Sequence, residues 1–99
     1  MAPRTRYLVS YDITNDAVRN RVFVALQGFG TWIQFSVFLC DLDQRELVAM
    51  RGRLHAEIDH RADSVMIVDV GLASDRGRYC FEFIGRGTQL PSPGGPHVL

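Results

Sequence analysis

Apolar and polar positions alternate over residues 6–13. Tyr7, Val9, Tyr11 and Ile13 share one face of an extended segment, and Leu8, Ser10 and Asp12 share the other. The pattern predicts a strand that stops at Thr14-Asn15-Asp16, three good helix N-caps in a row. The period then changes. Val18, Val22, Ala25, Leu26 and Phe29 form one helical stripe, and Gly28 and Gly30 end the helix near residue 28. Residues 31–40 are β-prone, as one long strand or as two short ones broken near Gln34-Phe35-Ser36. Asp43 with Glu46 reads as a capping box ahead of a helix over about 44–60, with Leu47, Met50, Leu54 and Ile58 on its apolar face. A buried strand over 64–70, a polar connection and a last strand over 78–84 complete the pattern.

The order strand, helix, strand material, helix, strand predicts an α+β fold of the ferredoxin-like βαββαβ class, with an extra C-terminal strand. Residues 1–85 form the single domain, and 86–99, rich in proline and glycine, form a flexible tail. In this fold the helices cover one face of the sheet only. If the 31–40 strand is unbroken, Trp32, Gln34, Ser36 and Phe38 lie opposite its core row, on the uncovered face. That patch and the unplaced last strand together predict a homodimer.

Composition narrows the function classes. With 99 residues there is room for one core, and no apolar run approaches the ~18 residues that span a bilayer. The N-terminus lacks the apolar stretch of a signal peptide, so a cytoplasmic protein with thiol cysteines is expected. Cys40 and Cys80 lie in apolar segments and read as small core residues. The net charge is zero from 11 basic and 11 acidic residues, but every basic residue is arginine. Arginine presents a planar fork suited to phosphate, although an arginine-only composition also arises from codon bias.

Asp12 is the sharpest candidate for chemistry. A carboxylate following Leu-Val-Ser-Tyr at a strand end either accepts turn amides or holds a hard cation. Ser10, Tyr11, Asp16 and Ser36 are the polar groups expected around it. Arg19 and Arg21 sit early in the first helix, where cations oppose the helix dipole by a few tenths of a kcal/mol. That placement suggests phosphate contacts, or else arginines on a solvated face. His55 and His60 are five apart, do not share a helical face and read as solvent-facing, like His97 in the tail.

The run Tyr7-Leu-Val-Ser-Tyr-Asp-Ile-Thr-Asn-Asp16, the arginines at 19 and 21, Gly28-Phe-Gly30 and Gln34-Phe-Ser-Val-Phe38 follow one another in an ordered pattern. In these motifs the chain resembles the CRISPR-associated protein 2 family. The resemblance implies a ferredoxin-like homodimer whose late strand adds to the partner's sheet, and an aspartate, here Asp12, that binds Mg²⁺ near the dimer axis. It also implies metal-dependent cleavage of RNA or DNA, and a dimer that bridges integrase subunits and holds a DNA duplex during CRISPR adaptation. Leu39 stands where that family often carries a glutamate, which weakens the case for catalysis more than the case for holding DNA. A non-catalytic adaptor of the integrase complex and a toxin-like solitary ribonuclease acting on single-stranded RNA are the alternatives. A small-molecule regulatory domain of the same fold is a third.

Overall fold

A computed structural model describes residues 3–87 and 90–91 of the chain. The first strand, β1, is Thr5–Asp12, and helix α1 is Asp16–Gln27. The short β2, Thr31–Gln34, is followed by β3, Val37–Leu42. Helix α2 is Gln44–Glu57, β4 is Ser64–Leu72, and a single turn, α3, is Arg76–Tyr79. The four strands form one antiparallel sheet in the order β2-β3-β1-β4, the arrangement of the ferredoxin-like α+β class. None of the helices is long and apolar enough to cross a membrane, among the residues described.

Local chemistry explains the boundaries. Of the three candidate caps, Asn15 is used, its side chain accepting from the Val18 amide at 3.0 Å. Asp43 and Glu46 close the capping box of α2 reciprocally. Val22, Ala25 and Leu26 of α1 and Leu47, Met50 and Leu54 of α2 are buried against Tyr7, Val9, Tyr11, Phe38, Cys40 and Leu42 of the sheet. Val18, Phe29 and Ile58 pack at the margin of this core.

The 31–40 segment is two strands, reversing at Phe35-Ser36, with Phe35 in the left-handed region at φ 46°. The reversal selects the two-strand alternative and removes the parity expected of an unbroken strand. It sets Trp32 opposite Phe38, and both lie on the helix side of the sheet beside Phe23 rather than on the uncovered face. Phe38 is fully buried, and Phe35, expected in the core row, is 93% exposed.

The C-terminal region also departs from expectation. No strand follows β4 among the described residues. Residues 76–79 form α3, and 80–84 continue without pairing. The cause is a buried ion pair on the sheet face opposite α1 and α2. Arg6 and Asp41, register neighbours on β1 and β3, pair through Nε–Oδ1 at 2.7 Å and Nη2–Oδ2 at 2.9 Å. Arg6 also donates to the Gly77 carbonyl at 3.0 Å and to the Pro91 carbonyl at 2.9 Å, which draws the chain after β4 across the sheet. Gly77 permits this approach, because a Cβ there would stand 2.8 Å from the Leu72 carbonyl oxygen and 2.9 Å from the Arg6 Cβ. Cys80, expected in the core, is exposed as a result, whereas Cys40 is buried. Apart from Pro91 and residues 86, 87 and 90, the expected tail lies outside the described residues, with His97 in it.

Candidate nucleic-acid interface and metal-ligating site

β1 delivers Asp12 to the edge of a cleft of about 640 Å³ between the β1–α1 junction, the first turns of α1 and the β2–β3 hairpin. Tyr11, Asp12, Asp16, Arg19 and Ser36, five of the seven residues singled out from the sequence, line it together. Asn20, Phe23, Trp32 and Phe35 line it as well and were not anticipated. A signal for two of them was present. Asp16, Arg19, Asn20 and Phe23 recur at helical spacing, a second stripe of α1 beside its core stripe.

Each group is held differently. Asp12 is exposed, and its carboxylate enters no hydrogen bond or ion pair with the described residues. Asp16 pairs with Arg19 one turn along α1. Arg19 also reaches back, its Nη1 donating to the carbonyls of Ile13 at 3.0 Å and Thr14 at 3.3 Å. These bonds answer the misplaced charge at the helix start. The guanidinium braces the junction that carries Asp12, and its positive charge stays at the cleft. Tyr11 is buried, and its amide donates to the Ser36 carbonyl at 3.1 Å. Burial raises the phenol above its ordinary value, partly opposed by the charge of Arg19 and a side-chain hydrogen bond with Ser36, so Tyr11 enters the site as a neutral group.

Ser10 and Arg21 are not brought to the cleft. Ser10 pairs with Val37 and Met66 in the sheet, on the face opposite Tyr11. Arg21 points toward α2, with its Nε 3.8 Å from Glu57. The arginines are two residues apart on a helix, so ~200° separates them, and only Arg19 shares the side of Asp12. The two helix-2 histidines are solvent-facing as expected, but His60 lies beyond the end of α2 and stacks on His55 with centroids 5.4 Å apart.

Asp12 suits a hard cation. Mg²⁺ takes oxygen ligands and is commonly held by one or two carboxylates, with waters and substrate phosphates completing the octahedron. No cluster of three or more His, Cys, Asp or Glu residues forms a self-sufficient cage among the described residues, so this chain's own offer is Asp12.

Comparison with known proteins places this geometry. The family described as CRISPR associated protein Cas2 matches residues 5–77. A CRISPR-associated endoribonuclease Cas2 of Geobacter sulfurreducens is 41% identical over 69 residues, covering 70% of this chain and 73% of its own length. One of Rhodospirillum rubrum, Cas2 1, is also 41% identical over 69 residues, covering 70% and 68%. Among solved structures, Streptococcus pyogenes Cas2 superposes with a TM-score of 0.67 at 29% identity, covering 81% of this chain and 99% of that one.

Proposed function

From the premise that this chain belongs to the Cas2 family, we propose that it is a CRISPR-associated, Mg²⁺-dependent endonuclease hydrolysing phosphodiester bonds of RNA or DNA, and that it works as a homodimer in CRISPR adaptation. The observation that carries the reading is the exposed, unpartnered Asp12 carboxylate at the lip of a cleft that also holds the Arg19 charge.

In this reading Asp12 holds the cation. When bound, the metal supplies Lewis-acid charge to the phosphodiester. The protein's own groups bind and orient. Arg19 attracts the phosphate chain and fixes the β1–α1 junction through the Ile13 and Thr14 carbonyls. Asn20 and the Ser36 hydroxyl offer neutral hydrogen bonds to sugar or phosphate oxygens. Tyr11, neutral and bonded to Ser36, keeps the hairpin against the strand end.

Support for the homodimer comes from the sheet face opposite the helices. Met66 and Val68 of β4 are exposed there, and Tyr79 and Ile84 are exposed on the C-terminal segment. A second copy of the chain and the integrase subunit of the adaptation complex are the partners this reading assigns.

Asp12→Asn tests the enzyme. It preserves shape and removes the charge a hard cation needs, so the fold should persist and EDTA-sensitive cleavage should disappear. Full activity in a purified Asp12→Asn protein would refute the metal role. A second reading, a non-catalytic holder of DNA, draws on Leu39, which is buried where relatives were expected to carry a glutamate. Salt-sensitive nucleic-acid binding without any Mg²⁺-dependent cleavage in the parent protein selects that reading.

A further inference from the structure

The site described above leaves two of its largest groups unused. Phe35 is 93% exposed at the tip of the β2–β3 hairpin, and Trp32 is 51% exposed one strand-end away. Phe35 does not belong there on folding grounds. A tight turn with φ 46° favours Gly, Asn or Asp, and a bare phenyl ring gains nothing from water. Yet the surroundings hold both residues firmly. The Trp32 indole N–H donates to the Phe35 carbonyl at 2.7 Å, which ties the turn to the strand. Phe23 meets the Trp32 ring edge-on at 6.3 Å and is itself edge-on to the buried Phe38 at 5.4 Å. The indole is therefore anchored to the core through a chain of rings, with half its surface open.

Trp32 and Phe35 line the same cleft as Asp12 and Arg19. Its volume of about 640 Å³ falls within the range of about 300–1,000 Å³ typical of small-ligand sites. A pre-ordered aromatic wall beside a cation and a metal-ligating carboxylate matches the chemistry of a nucleotide, with a π-face at one end and a phosphate at the other. We propose that an unpaired base of a single-stranded nucleic acid stacks on the Trp32–Phe35 wall and so seats its phosphodiester beside Asp12. The proposal rests on the reading of the cleft as a nucleic-acid site. It adds a selection rule, because the faces of a base inside a duplex are already occupied by its neighbours. Strand ends, loops and single strands fit, and continuous duplex does not.

Trp32 is the only tryptophan of the chain, so it reports directly. The full-length protein in EDTA, where cleavage is silenced, is titrated with four probes: a single-stranded oligoribonucleotide, its deoxy counterpart, an abasic strand of equal length and a covalently closed, relaxed circular duplex without loops or ends. Both base-bearing single strands should quench the Trp32 emission, and the abasic strand and the duplex should not. Phe35→Ala should weaken single-strand affinity roughly 5- to 150-fold. The slope of affinity against salt should not change, because no phosphate contact is lost. Phe35→Tyr, which keeps a π-face, should restore binding, and melting followed by circular dichroism checks that both variants are folded. Asp12→Asn should retain the quenching while losing cleavage, so failure of the metal reading and failure of stacking give different results. Equal affinity for the abasic strand, unchanged affinity in Phe35→Ala, or no quenching by the base-bearing strands overturns the proposal.

Discussion

Asp41→Asn perturbs the most buried polar contact of the protein and leaves its shape almost unchanged. Arg6 is 0% exposed and faces Asp41 with a two-pronged geometry, 2.7 and 2.9 Å. An asparagine keeps one acceptor, sets an NH₂ group against a guanidinium N–H and leaves the cation uncompensated in a dry setting. Breaking a buried pair from one side typically costs about 3–5 kcal/mol. A domain of this length has a total stability of roughly 5–15 kcal/mol, so the variant should lose at least about a fifth of it. At ~4–8 °C per kcal/mol for small domains, Tm should fall by roughly 12–40 °C. Far-ultraviolet circular dichroism, melted by heat and by urea, reads the change. The double variant Arg6→Met with Asp41→Leu removes both charges, and it should be less destabilised than Asp41→Asn alone. A loss of under about 1 kcal/mol in Asp41→Asn, the scale of a solvated surface pair, would refute the account of Arg6 as a buried, fully committed cation.

Arg19→Ala should flatten the slope of log affinity for nucleic acid against log salt by about one unit, and Arg21→Ala, facing Glu57, should leave it unchanged. Fluorescence anisotropy over a salt series checks both. Cys80 should react with a thiol reagent in the native protein, and buried Cys40 only after unfolding. Burial, reinforced by the Asp41 charge, pushes the Cys40 thiol from 9.0 up to about 12. The folded state then holds a proton that the unfolded chain releases. Stability is unaffected by this group below pH 9 and falls as pH rises toward 12, by at most about 1.4 kcal/mol per pH unit, and Cys40→Ala should make urea unfolding less pH-dependent there. Gly52 lies inside α2 with open space where a Cβ would go, so Gly52→Ala should raise stability by about 0.5–1 kcal/mol in the same unfolding assay.

Local signals carried most of the architecture. The period-2 run of β1, the Asn15 cap, the capping box of α2 and the apolar stripes of both helices are short-range patterns, and each lies within a residue or two of its expected place, apart from the last turn of α2. Asp12 was legible for the same reason, since a carboxylate ending an apolar strand is conspicuous. The hairpin turn was legible only as one of two alternatives, because no Asn-Gly or Pro marks Gln34-Phe35-Ser36. A tertiary clamp, the Trp32 indole on the Phe35 carbonyl, imposes it. Two consequences followed from that single reversal, the inward rotation of Phe38 and the aromatic wall of the cleft. Arg6 was equally silent, because its partners lie 35, 71 and 85 residues away and no local pattern announces them. The same contacts redirected the β-prone residues after β4 away from strand pairing.

Arg6 also changes how the fold comes apart. One guanidinium near the start of β1 grips carbonyls at residues 77 and 91, so β1 and the C-terminal segment are joined by two hydrogen bonds from a single side chain. Termini ordinarily fray independently and at little cost. Here β1 cannot peel from β3 without stranding the carbonyls of Gly77 and Pro91, and the C-terminal segment cannot lift away without baring the cation beneath it. Opening at either end therefore becomes a single cooperative event. Amide exchange around Thr5–Leu8 and around 76–79 should share one protection level, and Asp41→Asn should lower both together.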